Sequence, residues 1–394
     1  MSAIYSQVLF VLRPPVENYP PTLHQVAILI EQGFRVTILC APSGALMAAS
    51  GAVPKGVRRI SIETEGAKGG LVARALGVAR FQRAVRHWVA ELQPDIVMAC
   101  DAEAAWAVGT GRRPGQRLVW HFHELPERQN QGLSVNLANR WVWRHARCPD
   151  LIVFPDPGRA SVFAADAGLP VEPIQIVANC PRPVRELPSP TLRETLGALL
   201  PAGAQVVLYH GPIGPDHALE TGIRSMRLWP ADGCFVMKGK GAPDYIATLR
   251  ALAATEGVGE RVLIYSPGFQ SYEDHCRFIA GADLGWTVLA PVSRNWEFSA
   301  FASNKRFECM ALGVPQVTNL GPMLADLVEL GDCGVCVPLD DASAVGMAIA
   351  ALLADPERRV RMGASGRRLH LERFHYDHQF TPVLRWLSSG GQSG

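Results

Sequence analysis

Residues 6–42 read SQVLFVLRPPVENYPPTLHQVAILIEQGFRVTILCAP. The run Val8–Leu12 is continuously apolar, as expected of a strand buried on both faces. Pro20 and Pro21 stand near the start of an amphipathic stretch and Gly33 at its end, the usual punctuation of a helix. RVTILCAP then opens a second apolar run. The stretch is a strand, helix, strand unit, and continuous rather than alternating strands predict a parallel sheet with helices on both faces.

The pattern extends in both register and length. PDIVMAC (94–100), RLVWHFHE (117–124) and DLIVFPD (150–156) read as further strands, separated by helical stretches at 72–93, 102–109 and 136–146. A second cycle begins at AQVVLYHG (204–211) and runs through GCFVMKG, RVLIYSPG, ADLGWTVL, VPQVTN and GVCVPL. Two doubly wound α/β domains in series are the economical account. Pro181, Pro183, Pro188 and Pro190 interrupt both helices and ladders, so the sequence places a domain at 1–180, a linker at 181–190, a domain at 191–375, and a C-terminal helix with a flexible tail at 376–394.

Composition excludes several classes. With 394 residues, 48% apolar and 19% charged, the chain has material for two cores and is neither fibrous nor disordered. A net charge of +2 leaves no basic footprint for nucleic acid. The balance is uneven: up to Cys180 there are 18 Lys and Arg against 14 Asp and Glu, and thereafter 20 against 22. No run of about 18 apolar residues predicts a membrane span, and the start shows no secretory signal, so a cytoplasmic location is expected. The nine cysteines are scattered. Cys333 and Cys336 have the spacing of a redox or half-zinc motif but no accompanying second pair, so they read as part of a short buried strand. Arg74, Arg80, Arg83 and Arg86 lie among apolar residues, a pattern of either a solvated helix face or a surface for an anionic membrane.

The most informative chemical stretch is WEFSAFASNKRFECMALGVPQVTN (296–319). Ser303 occupies an N-cap position, Asn304–Leu312 has helical composition, and Gly313 with Pro315 stops the helix. A helix start preceded by small residues suits a phosphate or diphosphate, because free N–H groups and the helix dipole both favour an anion. Glu308, one turn in, has the chemistry to accept hydrogen bonds from a sugar diol, and Lys305 to meet negative charge; an exposed Lys305–Glu308 ion pair is the plain alternative. Lys238 and Lys240 flank Gly239 and Gly241 in a strand-to-helix turn, where ligands of such sheets bind, or are ordinary solvated lysines. His121 and His123 share one face of a strand end without a third metal ligand in view. Asp101, Glu124 and Glu127 sit in turns after strands, and Arg13 and Asn18 in the loop after the first strand.

NKRFECMALGVPQV resembles the C-terminal signature of family-4 (group 1) glycosyltransferases, which use nucleotide-sugar donors and have the two-domain GT-B architecture. VLYHGPIGPDHALETGIRSM, CFVMKGKGAPDYIATLRALAATEGVGERVLIYSPG, IVANCPRP and RLVWHFHELPE are similar to other family segments in the same order, covering nearly the whole chain. The resemblance implies two Rossmann-like domains facing a cleft, and a retaining, metal-independent transferase with no bound cofactor. Its donor substrate would be a nucleoside diphosphate sugar and its acceptor a hydroxyl on a glycan, lipid-linked or small molecule, in polysaccharide or glycolipid biosynthesis, with peripheral membrane contact through the N-terminal domain. It implies that Glu308 holds the donor ribose, that Gly211, His217, Lys238, Lys240 and Ala302 through Ser303, Asn304 and Lys305 surround the donor, that His123 lies near the donor sugar, and that Arg13, Asn18, Asp101 and Glu124 serve the acceptor. The sequence departs from the family at Ala300, where an earlier Glu is common and Glu297 is out of register, and at Pro212 and His217, where an Arg and a Lys neutralise the leaving diphosphate. Alternatives consistent with those departures are a non-catalytic GT-B-like binding subunit and a nucleotide-sugar epimerase.

Overall fold

A computed structural model describes residues 6–44, 53–63, 71–127, 132–268 and 270–389. The chain divides into two compact units, Met1–Ala178 with Tyr376–Gly394, and Asn179–His375.

The first unit runs β1 (Gln7–Val11), α1 (Pro20–Glu31), β2 (Arg35–Cys40), β3 (Arg58–Ser61), α2 (Leu71–Leu92), β4 (Ile96–Cys100), α3 (Asp101–Val108), β5 (Arg117–His121), α4 (Leu133–Arg144), β6 (Leu151–Phe154), α5 (Pro157–Ala167) and β7 (Ile174–Ile176). Its seven strands are all parallel in the order β3-β2-β1-β4-β5-β6-β7. Every residue of β4, IVMAC, is buried, as a central strand covered on both faces requires. Local signals act as read: prolines occupy the first positions of α1, and Gly33 adopts φ 84° just beyond it. In α5 the Asp156 carboxylate caps Gly158 and Arg159 N–H groups, and Gly168 closes the helix in the left-handed region.

The second unit runs α6 (Leu192–Leu196), β8 (Gln205–His210), α7 (Leu219–Ser225), β9 (Gly233–Lys238), α8 (Pro243–Thr255), β10 (Val262–Tyr265), α9 (Tyr272–Ile279), β11 (Leu284–Trp286), α10 (Arg294–Glu297), α11 (Asn304–Leu312), β12 (Gln316–Asn319), β13 (Gly334–Val337), α12 (Ala342–Leu353) and α13 (Pro356–Glu372). Its six parallel strands are ordered β10-β9-β8-β11-β12-β13. Strand order reverses between β1 and β4 in one unit and between β8 and β11 in the other. The crevices beyond the carboxyl ends of those strands are where ligands of doubly wound sheets bind.

The division differs from the sequence-based one at two places. The Pro181–Pro190 segment belongs to the second unit, where His370 Nε2 accepts from the Val184 N–H at 3.1 Å and the Thr191 N–H donates to the Arg277 carbonyl at 3.0 Å. The last helix, α14 (Tyr376–Ser388), belongs to the first. Its buried face carries Tyr376, Phe380, Val383 and Leu387. Arg117 of β5 donates to the Trp386 and Leu387 carbonyls at 2.8 and 2.6 Å and lies 4.9 Å from the Trp386 ring centre. Orphan carbonyls at a helix end take such cationic donors readily, so the chain returns to pack on the unit where it began.

Candidate functional site

In the second unit, His210 is the last residue of β8 and Lys238 the last of β9, so strand pairing sets them side by side at the carboxyl edge. The turns beyond them cross closely. The Gly211 N–H donates to the Lys238 carbonyl at 3.0 Å, and the Ile213 N–H to the Lys240 carbonyl at 2.8 Å. A Cβ on Gly239 would stand 1.8 Å from the Gly211 carbonyl oxygen, and Gly211 itself has φ 127°, so neither position admits a side chain without moving backbone.

Glu308, on α11, reaches this edge and is buried. Its Oε2 accepts from His210 Nε2 at 2.9 Å and lies 3.6 Å from His275 Nε2 of α9. His275 Nδ1 is 2.9 Å from Lys238 Nζ. Lysine has only donors, so the lysine donates, the neutral His275 ring carries its proton on Nε2, and that N–H faces Glu308. Burial alone would raise the Glu308 carboxyl; the hydrogen bonds from His210 and His275 outweigh it and hold the group well below the usual range. Burial drives His210 down to about 4, so at neutral pH it donates as an uncharged ring. Lys238 is pushed down to about 8, by burial against the pull of Glu308.

The start of α11 is open to an anion. Ser303 stands at the N-cap position, but its hydroxyl makes no capping bond, so it leaves the first N–H groups of the helix untaken. Lys305 Nζ lies 3.2 Å from where a Gly211 Cβ would be and 5.5 Å from the Tyr209 ring centre, and burial holds it at about 8. The loop ahead of the helix is pinned from beneath. The Arg306 guanidinium, fully buried, donates to the Ser299, Ala300 and Thr287 carbonyls and to Thr318 Oγ1. Asn179 Nδ2 donates to the Ala302 carbonyl at 3.0 Å.

His217 is buried between the Tyr209 and Trp296 rings, at 5.0 and 5.3 Å, and burial together with the Lys305 charge pushes it down to about 3. The ring is neutral at physiological pH and supplies no positive charge to a diphosphate. Lys240 is exposed, and its backbone carbonyl rather than its ammonium enters the turn. Ala300 is buried in the pinned loop.

His210, His275 and Glu308 place three donor atoms within 4.8 Å of one another, a count that suits a metal ion. The protonation does not suit one: the lysine on Nδ1 leaves His275 Nε2 protonated, whereas a ligand nitrogen must be bare. Cys333 is buried in the approach to β13, Cys336 lies within that strand, and both are free thiols.

In the first unit, the corresponding edge holds His123 and Asp101. Asp101 opens α3 with φ 66°, a left-handed conformation that Asp tolerates better than most residues. Its Oδ1 accepts from the His123 N–H at 2.7 Å, and its Oδ2 accepts from His123 Nδ1 at 3.2 Å. His123 Nε2 therefore accepts from the Thr22 hydroxyl at 2.9 Å. Arg159 donates to the His123 carbonyl at 2.6 Å, and the Tyr19 ring lies 4.5 Å away. His121 stacks on His123 at 4.6 Å, and its Nδ1 accepts from Gln25, so it is a buried, hydrogen-bonded ring. A cavity of about 260 Å³ beside them is lined by Tyr19, Asp101, Glu103, Glu124 and Asn139 among others. Arg13 is ion-paired with Glu103, and Asn18 is exposed in the turn before α1.

Sequence reasoning did not find His210, His275, Thr22, Arg306 or Asn179. His210 had a signal, an imidazole ending an apolar strand directly before Gly211. His275, inside the amphipathic α9, had none.

Both halves of the chain match family models: residues 22–181 that of Glycosyltransferase Family 4, and residues 246–385 that of Glycosyl transferase-like proteins. Over 200 residues the chain is 32% identical to D-inositol 3-phosphate glycosyltransferase of Xylanimonas cellulosilytica, a stretch that is 49% of this chain and 44% of that protein. In fold it is similar to the Anabaena protein HepE in complex with UDP-glucose, at TM-score 0.73 and 18% identity over 98% of this chain and 100% of that one. It is also similar to a glycosyltransferase of Rickettsia africae, at TM-score 0.74 and 11% identity over 99% and 100%. With both units matched in order and both sheets wound as that architecture requires, the chain belongs to the family-4, group 1 type of GT-B glycosyltransferases.

Proposed function

We propose that this chain is a retaining glycosyltransferase that moves a sugar from a nucleoside diphosphate sugar to a hydroxyl acceptor in polysaccharide or glycolipid assembly. The observation that carries the reading is Glu308, held ionised at the carboxyl edge of β8 beside the uncapped start of α11 and Lys305. An ionised carboxylate accepts from a ribose diol, and the helix start and the ammonium meet a diphosphate. Lys305 then supplies the charge that Pro212 and His217 lack. The UDP-glucose complex of HepE supports a uridine nucleotide as donor.

In the first unit, the His123 ring, held by Asp101 and Thr22, lies beside the donor sugar on this reading, and the cavity lined by Asp101 and Glu124 receives the acceptor hydroxyls. Catalysis on this reading rests on positioning and on stabilising the departing diphosphate, with no metal required. Calorimetry against UDP, ADP and GDP tests donor binding. Incubation with the matching sugar nucleotides and a lipid or glycan acceptor, followed by NMR of the new anomeric centre, tests transfer and retention. Failure of all three nucleotides to bind overturns the proposal.

The same unit supports membrane contact. Among the described residues no helix is long and apolar enough to cross a bilayer, but Leu76, Leu133 and Leu137 are 50%, 67% and 44% exposed. Arg80, Arg83 and Arg86 are exposed on α2. Apolar anchors with basic residues suit an anionic surface, each cation adding about 1 kcal/mol. Cosedimentation with phosphatidylglycerol vesicles, lost in Leu133→Gln and Leu137→Gln together, is the expected result; equal sedimentation with neutral phosphatidylcholine vesicles contradicts it.

A further inference from the structure

We propose that Lys238, His275 and His210 are positioning residues for Glu308, and that of the two lysines at this edge the half-buried Lys305, not the buried Lys238, addresses the diphosphate. The inference rests on the donor reading above and divides its labour among residues that resemblance alone treats as one group.

The geometry runs as a directed chain. Lys238 Nζ donates to His275 Nδ1 at 2.9 Å, and His275 Nε2 faces Glu308 Oε2 at 3.6 Å, a gap a small shift closes. From the other side His210 Nε2 donates to the same oxygen at 2.9 Å. Two imidazole N–H groups converge on Oε2, so the carboxylate plane is fixed and Oε1, which takes neither, is the oxygen left for a hydroxyl donor. Lys238 is itself buried, and its ammonium sits 4.8 Å from the Phe278 ring centre. It is committed to the chain and turned from open space. Lys305 is placed differently: it is only half-buried, sits in the first turn of α11, and has its Nζ 3.2 Å from where a Gly211 Cβ would stand. One cation sets a tautomer; the other is left for a ligand.

The roles separate by ligand truncation. Calorimetry with whichever of UDP, ADP and GDP binds tightest is compared with its 2′-deoxy counterpart, which reads ribose recognition, and with its monophosphate, which reads the diphosphate. The wild-type chain is expected to prefer the ribonucleotide by about tenfold, the worth of one charge-assisted hydrogen bond. His275→Ala, His210→Ala and Lys238→Met should bring that ratio towards one while leaving the diphosphate-to-monophosphate ratio intact. Lys305→Met should do the reverse. His275→Gln and His210→Gln keep an N–H towards Oε2 and should restore most of the ribose preference, an outcome a merely structural role does not produce; they carry the test if an alanine variant fails to melt cooperatively. An unchanged ribose ratio in His275→Ala and His210→Ala, or Lys238→Met behaving like Lys305→Met, overturns the proposal. Absence of any ribose preference in the wild-type chain instead overturns the donor reading beneath it, and with it the proposal.

Discussion

The two units place a carboxylate and a pair of histidines at the same position of the same kind of sheet, and use them in opposite senses. In the first, Asp101 is the support and His123 the group held: the carboxylate takes Nδ1–H and fixes the ring. In the second, His210 and His275 are the supports and Glu308 is the group held. Fold therefore specifies where chemistry gathers, at the strand-order reversal, while the direction of the hydrogen bonds decides which group is held and which does the holding. An acid held by two neutral donors is ionised at every physiological pH. A histidine held by an acid through Nδ1 has a bare Nε2, and in His123 that nitrogen accepts from the Thr22 hydroxyl.

The contrast is open to a graded set of measurements. Glu308→Ala removes the group held in the second unit, and kcat/KM for donor turnover should fall by at least about 100-fold, the loss of about 3 kcal/mol of charge-assisted hydrogen bonding. A fall of less than about tenfold would remove Glu308 from the donor site. Asp101→Ala removes a support instead. Turnover should fall by about tenfold, with a lower Tm because two buried His123 N–H groups lose their acceptor. Asp101→Asn tolerates the left-handed backbone and should recover Tm but not activity, because its amide NH₂ competes for the place of an acceptor at Nδ1.

A smaller effect is expected with pH. Lys305 is held at about 8, against an ordinary value of 10.5. The affinity of UDP relative to uridine should decline severalfold as pH rises from about 7 to 9, because the ammonium is lost. Folding stability moves the other way. Between about 8 and 10.5 the unfolded chain holds the proton and the native chain has released it, so the lysine's destabilising contribution diminishes as pH climbs through that window. Lys305→Met should flatten the binding profile, and a profile unchanged by that substitution would reassign the charge. The smallest effect compares two helix starts. Asp156→Ala removes a side chain that caps two N–H groups and should cost about 1 kcal/mol. Ser303→Ala removes no cap and should stay within about 0.5 kcal/mol of wild type.

Much of the fold was readable locally. Continuous apolar runs such as IVMAC, prolines at helix starts and Gly33, Gly168 and Gly313 beyond helix ends are short-range physics, and the elements form where those signals stand. Short strands with mixed composition were less readable. RRIS and IQI pair at the sheet's two edges, where one neighbour suffices and the apolar signal is dilute. The membership of the Pro181–Pro190 segment and of α14 was unreadable for a different reason. Proline density reports local disruption of helix and ladder, whereas membership of a unit depends on which core the segment packs against.

Sequence by itself determined that Glu308 and Lys305 share the first turns of a helix opening on small residues, because helical spacing and cap chemistry reach only a few residues. It also determined that the chain is built as two parallel α/β cycles. Only the tertiary structure decided that Glu308 meets imidazoles 98 and 33 residues away in the chain, from His210 and His275, and that His217 is neutral. It also brought α14 home to the first unit, and it gave Lys238 and Lys305 different surroundings. Those outcomes depend on burial and on contacts between distant segments. Both are properties of packing, and neither has a counterpart in the order of residues along the chain.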